Sequence, residues 1–222
     1  PQANLMPALS FLQSYPYGCL EQTVSTAWPY LVMPDIMEQA GFISKKKAGK
    51  ESGQKAGTNP AAPFLESIVA RVASMQLWDG SFSSWPGGGA TDPWSSLYAT
   101  HFLLESSKIV SVPEGVLGRA LDWTRSYLAF TPGANAFFGV QPSYTAKAYA
   151  CYILALKGEP PFAWMQHLTE NSRKMYPSGQ ILLAGAKALA AGNASPLQAL
   201  QLKDNTQSDG YNSTLESQRS EE

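Results

Sequence analysis

Apolar residues recur three and four positions apart through most of this chain, and no run alternates apolar with polar residues as a half-buried strand would. Proline and glycine fall mainly between those runs. Three segments also open on loosely similar stretches: Ser95-Ser96-Leu97-Tyr98-Ala99-Thr100, Pro142-Ser143-Tyr144-Thr145-Ala146-Lys147 and Pro177-Ser178-Gly179-Gln180-Ile181-Leu182. Together these observations predict an all-α fold of stacked helical hairpins, each an Ala- and Leu-rich inner helix followed by an outer one.

In chain order, a short helix is expected over residues 3–13. The second starts near Leu20 and runs to about Ala40, interrupted at Pro29 and Pro34 and stopped by Gly41. Residues 44–60 read as a flexible loop, with Lys45, Lys46, Lys47, Lys50 and Lys55 as solvated charges. A third helix spans residues 62–75, with Phe64, Leu65, Ile68, Val69 and Val72 on one face. Residues 76–88 form a loop in which Asp79 and Gly80 shape a turn. Asp92 and Pro93 then cap and open a helix running to about Ile109. Another follows Pro113 over residues 114–129, and a long loop covers 130–142. Helices are expected at 143–156, 161–175 and 178–191, with a short one near 196–202. The polar residues 205–222 read as a frayed tail.

The length of 222 residues suffices for one good-sized core, and 44% hydrophobic against 15% charged residues marks a globular chain. Lys+Arg at 16 against Asp+Glu at 17 leaves a net charge of -1, which advertises neither nucleic acid nor an acidic membrane surface. The two cysteines, Cys19 and Cys151, make no disulfide framework and no metal site. Cys151 lies in an apolar helical run and reads as a buried core thiol. No cofactor motif is present: there is no Walker loop, zinc spacing, Rossmann fingerprint or Gly-x-Ser-x-Gly elbow. No signal peptide, lipobox or apolar run of about 18 residues occurs either. The chain begins at Pro1 in what reads as mid-helix sequence, so a fragment of a longer protein is expected.

The chemistry concentrates in Tyr15-Pro16-Tyr17-Gly18-Cys19-Leu20-Glu21-Gln22. Cys19 and Gln22 stand three positions apart where a turn meets a helix, and one helical turn puts such residues on the same face. The Cys19 sulfur can then meet the Gln22 side-chain carbonyl carbon, and loss of ammonia closes an internal thioester. Pro16 fixes its own φ, and Gly18 is free to take a positive φ. At a helix N-terminus, open amides and the helix dipole stabilise a tetrahedral oxyanion and favour a departing thiolate. Tyr15, Tyr17 and Leu20 are candidates for shielding the bond from water. Glu21 is either a first-turn helix stabiliser or a catalytic base, and the sequence leaves both open.

The run of eight resembles the thioester segment of bacterial alpha-2-macroglobulins. A similar Gly-Cys-Gly-Glu-Gln marks the eukaryotic members and the thioester-containing complement components. Pro7-Ala8-Leu9-Ser10-Phe11-Leu12 before it and Thr23-Val24-Ser25-Thr26-Ala27-Trp28-Pro29 after it fit the same pattern. The resemblance is sharp over residues 5–29, fair over 64–104 and architectural beyond. It implies an α/α toroid, the hairpins closing into a ring, here incomplete at the C-terminus. It also implies one thioester domain over residues 1–222, cut from a periplasmic or cell-surface protein of a bacterium with a membrane-anchored lipoprotein parent.

What the resemblance implies for function is a single-turnover covalent protease inhibitor, not a turnover enzyme. A protease cuts a bait region elsewhere in the parent, the thioester is exposed, and a lysine amine of the protease is acylated by Gln22. The partners are then target proteases and other domains of the same parent, with no nucleic acid and no direct membrane contact. No cofactor or metal is implied. In the family a histidine near the thioester favours hydroxyl transfer, and its absence favours amines. The corresponding position falls within residues 131–141, where Asn135 is the polar candidate, while His101 and His167 fall elsewhere and read as structural.

Two rival readings stand beside this one. Gln76-Leu77-Trp78-Asp79-Gly80-Ser81-Phe82 is similar to a repeated motif of terpenoid cyclases, which share the toroid. Asp79, Asp92 and Asp122 are nonetheless isolated, without the acidic cluster that such enzymes need. A cysteine acyl-transferase would require His101 or His167 at Cys19. The other rival is a helical binding module in which Cys19 is only structural.

Overall fold

The computed structural model describes residues 7, 18–43, 61–89, 92–129 and 140–192. The chain divides into two compact units, Pro1–Ala129 and Phe130–Glu222. The first holds α1 (Leu20–Val32), α2 (Pro34–Gln39), α3 (Ala62–Ala73), α4 (Pro93–Ser106) and α5 (Glu114–Ala129). The second holds α6 (Val140–Leu156), α7 (Phe162–Glu170), a single 3-10 turn Ser172–Lys174 and α8 (Pro177–Ala190). Among the described residues there is no β-strand, only an isolated antiparallel bridge between Gln76 and Phe82. The expected helices over 3–13 and 196–202, the 44–60 loop and the 205–222 tail lie outside the described residues.

Several boundaries differ from expectation for local reasons. Pro29 does not interrupt α1: it is a buried residue inside the helix, and its carbonyl accepts the Met33 N–H at 2.9 Å. The break comes at Met33, whose φ of -144 leaves the helical region just before Pro34. Gly41, at φ 80, stops α2 as expected, with the Phe42 N–H returning to Met37 O at 3.0 Å. The helix expected to reach Ile109 ends at Ser106, and residues 107–110 turn away. α6 begins at Val140 with Pro142 in its first turn, where a missing donor costs little. The span 161–175 is two pieces, because Asn171 (φ -106) leaves the helix while its Nδ2 donates to His167 O at 2.8 Å.

Each unit shows the inner-and-outer pattern. α4 is buried around most of its circumference, from Ser95, Ser96 and Leu97 to Leu103 and Leu104. Within it Thr100 Oγ1 donates to Ser96 O at 2.8 Å, while the buried Ser106 hydroxyl has no hydrogen-bond partner among the described residues. α5 buries only Ala120, Leu121, Thr124 and Leu128, one stripe of an outer helix. Leu20, Val24 and Ala27 of α1 share a core with Leu65, Val69 and Val72 of α3 and Phe102 of α4. Burying side chains of this size contributes about 1.5–3 kcal/mol apiece, so the N-terminal turn of α1 is anchored from below.

In the second unit α6 is the inner helix, buried from Thr145 through Cys151, and α7 buries only Met165 and Leu168. α8 approaches α6 closely: a Cβ on Gly179 would lie 3.0 Å from Thr145 Cα. Thr145 Oγ1 also accepts the Tyr176 N–H at 3.0 Å, just before α8 begins. Among the described residues no helix is long and apolar enough to cross a membrane.

Candidate functional site

Cys19 is the N-cap of α1, with extended backbone (φ -64, ψ 169), and Gln22 is the third helical residue. The two form a capping box. The Cys19 sulfur stands where a serine oxygen would, turned to the Gln22 backbone N–H, and is not an ordinary cap hydrogen bond. The Gln22 Oε1 accepts the Cys19 backbone N–H at 3.2 Å. Helix geometry alone therefore brings thiol and carboxamide to one turn, and the carboxamide oxygen already faces a backbone donor. Cys19 is a free, partly exposed thiol, whereas Leu20, 1% exposed, turns into the core beneath. Glu21 is exposed in the first turn, where its charge suits the helix dipole.

The turn entering the helix is held from two sides. Gly18 O accepts from Arg71 Nη2 at 2.8 Å and from Thr23 Oγ1 at 3.3 Å, and Arg71 Nε donates to Thr23 Oγ1 at 3.3 Å. A Cβ on Gly18 would lie 3.0 Å from Thr23 Oγ1 and 3.1 Å from Arg71 Nη2. Gly18 is not among the positive-φ glycines, so crowding, not a left-handed backbone, is what favours glycine here. On the other side, Leu20 N–H, the first amide of α1, donates to Ser84 O at 2.9 Å.

Ser84 belongs to the loop between α3 and α4, which is braced internally. Gln76 Nε2 donates to Gly80 O at 3.2 Å and to Val116 O at 2.9 Å, and Arg119 Nη2 donates to Gln76 Oε1. Asp79 Oδ1 accepts the Ser81 N–H at 3.0 Å and the Ser81 hydroxyl at 2.6 Å. Phe82 N–H donates to Ser96 Oγ at 3.0 Å, and Ser83 Oγ donates to Trp85 O at 2.6 Å. Gln76 thus ties the end of α3 to α5, while Asp79 shapes the turn within the loop, as the sequence suggested for Asp79.

His101 does not meet Cys19 through this network. Its ring packs on Trp28 with centroids 4.8 Å apart, and Trp28 lies about 13 Å along the helix axis from Cys19 at 1.5 Å per residue. Burial, with a smaller effect from Lys108, lowers its pKa to about 4. His167, in the second unit, is exposed and contacts Trp164 edge-on at 5.5 Å and Tyr144 at 6.0 Å. Cys151 is fully buried, and burial pushes its thiol up to about 12. Tyr98, whose OH lies 3.2 Å from Ser25 Oγ, is raised above its ordinary value, first by burial. Tyr15, Tyr17 and Asn135 lie outside the described residues. Arg71 and Ser84 were not singled out in the sequence: one is a surface arginine on a distant helix, the other contributes only its backbone.

Within a helical unit, cysteine and glutamine one turn apart at a helix N-terminus are the arrangement that an internal thioester needs. The family model described as the A-macroglobulin TED domain matches residues 3–127, and the chain belongs to that family. The alpha-2-macroglobulin of Xylella fastidiosa is 30% identical over 195 residues, covering 83% of this chain and 11% of that protein. A crystal structure of Salmonella alpha-2-macroglobulin reacted with methylamine is 24% identical with a TM-score of 0.68, covering 91% of this chain and 13% of that one. The crystal structure of trypsin-activated alpha-2-macroglobulin from Escherichia coli is 22% identical with a TM-score of 0.65, covering 85% of this chain and 13% of that one. The fold is accordingly the α/α toroid of the thioester domain.

Proposed function

We propose that Cys19 and Gln22 form the internal thioester of a bacterial alpha-2-macroglobulin-type protease trap. The single observation that carries this reading is the Cys19–Gln22 capping box, with the Gln22 carboxamide oxygen on the Cys19 N–H. The Cys19 sulfur displaces ammonia from Gln22 Cδ, and the stored acyl group later passes to a nucleophile. Cleavage of a bait region elsewhere in a longer parent exposes the bond, and a lysine amine of the attacking protease receives the acyl group. The event is a single turnover. Support comes from the Salmonella relative, which was reacted with methylamine, and the Escherichia coli relative, which was activated by trypsin. The parent is a periplasmic or surface protein, its remaining domains shield the bond, and Asn135 occupies the position that sets amine preference.

Peptide mass spectrometry across residues 15–28, with and without methylamine, tests this. A peptide lighter by one ammonia, or methylamine on Gln22 beside a freed Cys19 thiol, is the expected result. Unmodified Gln22 beside free Cys19 in both preparations of the full-length parent would sink the reading.

A further inference from the structure

Arg71 joins the two residues that bracket the reactive pair. Its Nη2 donates to Gly18 O at 2.8 Å and its Nε to Thr23 Oγ1 at 3.3 Å. Gly18 immediately precedes Cys19, and Thr23 immediately follows Gln22. One planar guanidinium therefore spans the whole segment that carries both reacting atoms. Moreover, the Gly18 carbonyl and the Cys19 N–H belong to one conjugated peptide unit. A cationic donor on the carbonyl draws charge across that unit and makes the N–H on its far side a stronger donor. That N–H is the one directed at Gln22 Oε1, 3.2 Å away.

Resting on the thioester reading, we infer that Arg71 is the positioning residue of the acyl centre. It orients and polarises the Gly18–Cys19 peptide so that the Cys19 N–H serves as oxyanion donor to the Gln22 carbonyl. In formation, Sγ adds to Cδ, the C–N bond breaks, and ammonia leaves with the thiol proton. In transfer, the amine nitrogen forms a new C–N bond, the C–S bond breaks, and the proton lost by the amine goes to the Cys19 sulfur. Oε1 carries the negative charge of the tetrahedral intermediate in both steps, beside the same N–H. Lysine cannot replace this arrangement fully, because its compact ammonium lacks the rigid fork that engages two acceptors at once.

The test uses the full-length parent with Arg71→Met and Arg71→Lys. The fraction of Gln22 held as thioester is read by peptide mass, and the rate at which methylamine frees the Cys19 thiol is normalised to that fraction. Removing an oxyanion donor outright costs about 100-fold or more. A residue acting through that donor is expected to cost roughly 2- to 8-fold in the normalised rate, with R71K between R71M and wild type. Melting temperatures measured alongside separate this from a merely structural role, which would lower melting and occupancy while leaving the normalised rate unchanged. That outcome, or a wild-type rate in both variants, overturns the inference. Should R71M not fold, a wild-type normalised rate in R71K overturns it alone. Absence of the ammonia-loss peptide from wild type would instead refute the thioester itself.

Discussion

Gly80 and Gly87 sit in the same loop with similar left-handed backbones, φ 91 and φ 74, but in opposite surroundings. A Cβ on Gly80 would lie 2.2 Å from the Arg119 carbonyl oxygen, whereas one on Gly87 would meet nothing within 4 Å. Alanine at either position carries about 1–2 kcal/mol of left-handed backbone cost. At Gly80 the loop must also retreat by about 1 Å to restore ordinary contact. That movement pulls Gly80 O from Gln76 Nε2 and Gln76 from Val116 O, two hydrogen bonds worth about 1 kcal/mol each. Gly80→Ala should therefore cost about 3–4 kcal/mol and Gly87→Ala about 1–2. For a chain of this size that corresponds to melting depressions of about 10 °C and about 4 °C. Far-UV circular dichroism melts and urea midpoints measure both. Equal losses for the two variants would show that the Arg119 carbonyl does not set the cost, and the reasoning would fail.

Other consequences are as direct. Asp92 Oδ2 accepts the Ser95 N–H at 2.7 Å, so Asp92→Ala should lower stability by about 1 kcal/mol and Asp92→Asn by less; equal urea midpoints for the two would contradict the cap. His101 falls from 6.5 to about 4 on folding, so the unfolded chain binds the extra proton between those values. Stability is therefore full above pH 6.5 and declines as pH falls toward 4, by about 3 kcal/mol at most. His101→Gln should flatten that decline in urea titrations at pH 7 and 4.5, and an unchanged slope would assign the decline to other groups. In Cys19→Ser protein, Cys151 should resist iodoacetamide until denaturant is added, because it is fully buried with its thiol pushed up to about 12; labelling at native rates typical of surface thiols would contradict its burial.

How much was legible depends on whether a residue acts locally. Cys19 and Gln22 are three apart, so helix geometry alone relates them, and Asp92-Pro93 and Gly41 mark helix ends by chemistry confined to one turn. Pro29 misled because proline reads as a breaker in isolation, while the buried packing of α1 on α3 and α4 outweighs one missing hydrogen bond. Arg71 was invisible for another reason. Its partners lie 53 and 48 positions away, and on a helix face it looks like any solvated arginine. Single-sequence periodicity carries no information about such a long-range clamp.

The bond from Leu20 N–H to Ser84 O joins the Cys19–Gln22 turn to the neighbouring loop through main-chain atoms alone. Any residue but proline at position 20 can donate it, and any residue at position 84 can accept it. The bond itself therefore leaves identity at position 84 free to drift between relatives, while Leu20 is held by the core beneath it. Spacing is the quantity that must be preserved: one residue inserted between Ser83 and Ser84 would move the accepting carbonyl out of register and leave the opening amide of α1 facing the wrong group. At position 84, loop length rather than side-chain identity is the trait by which other chains of this kind should be compared.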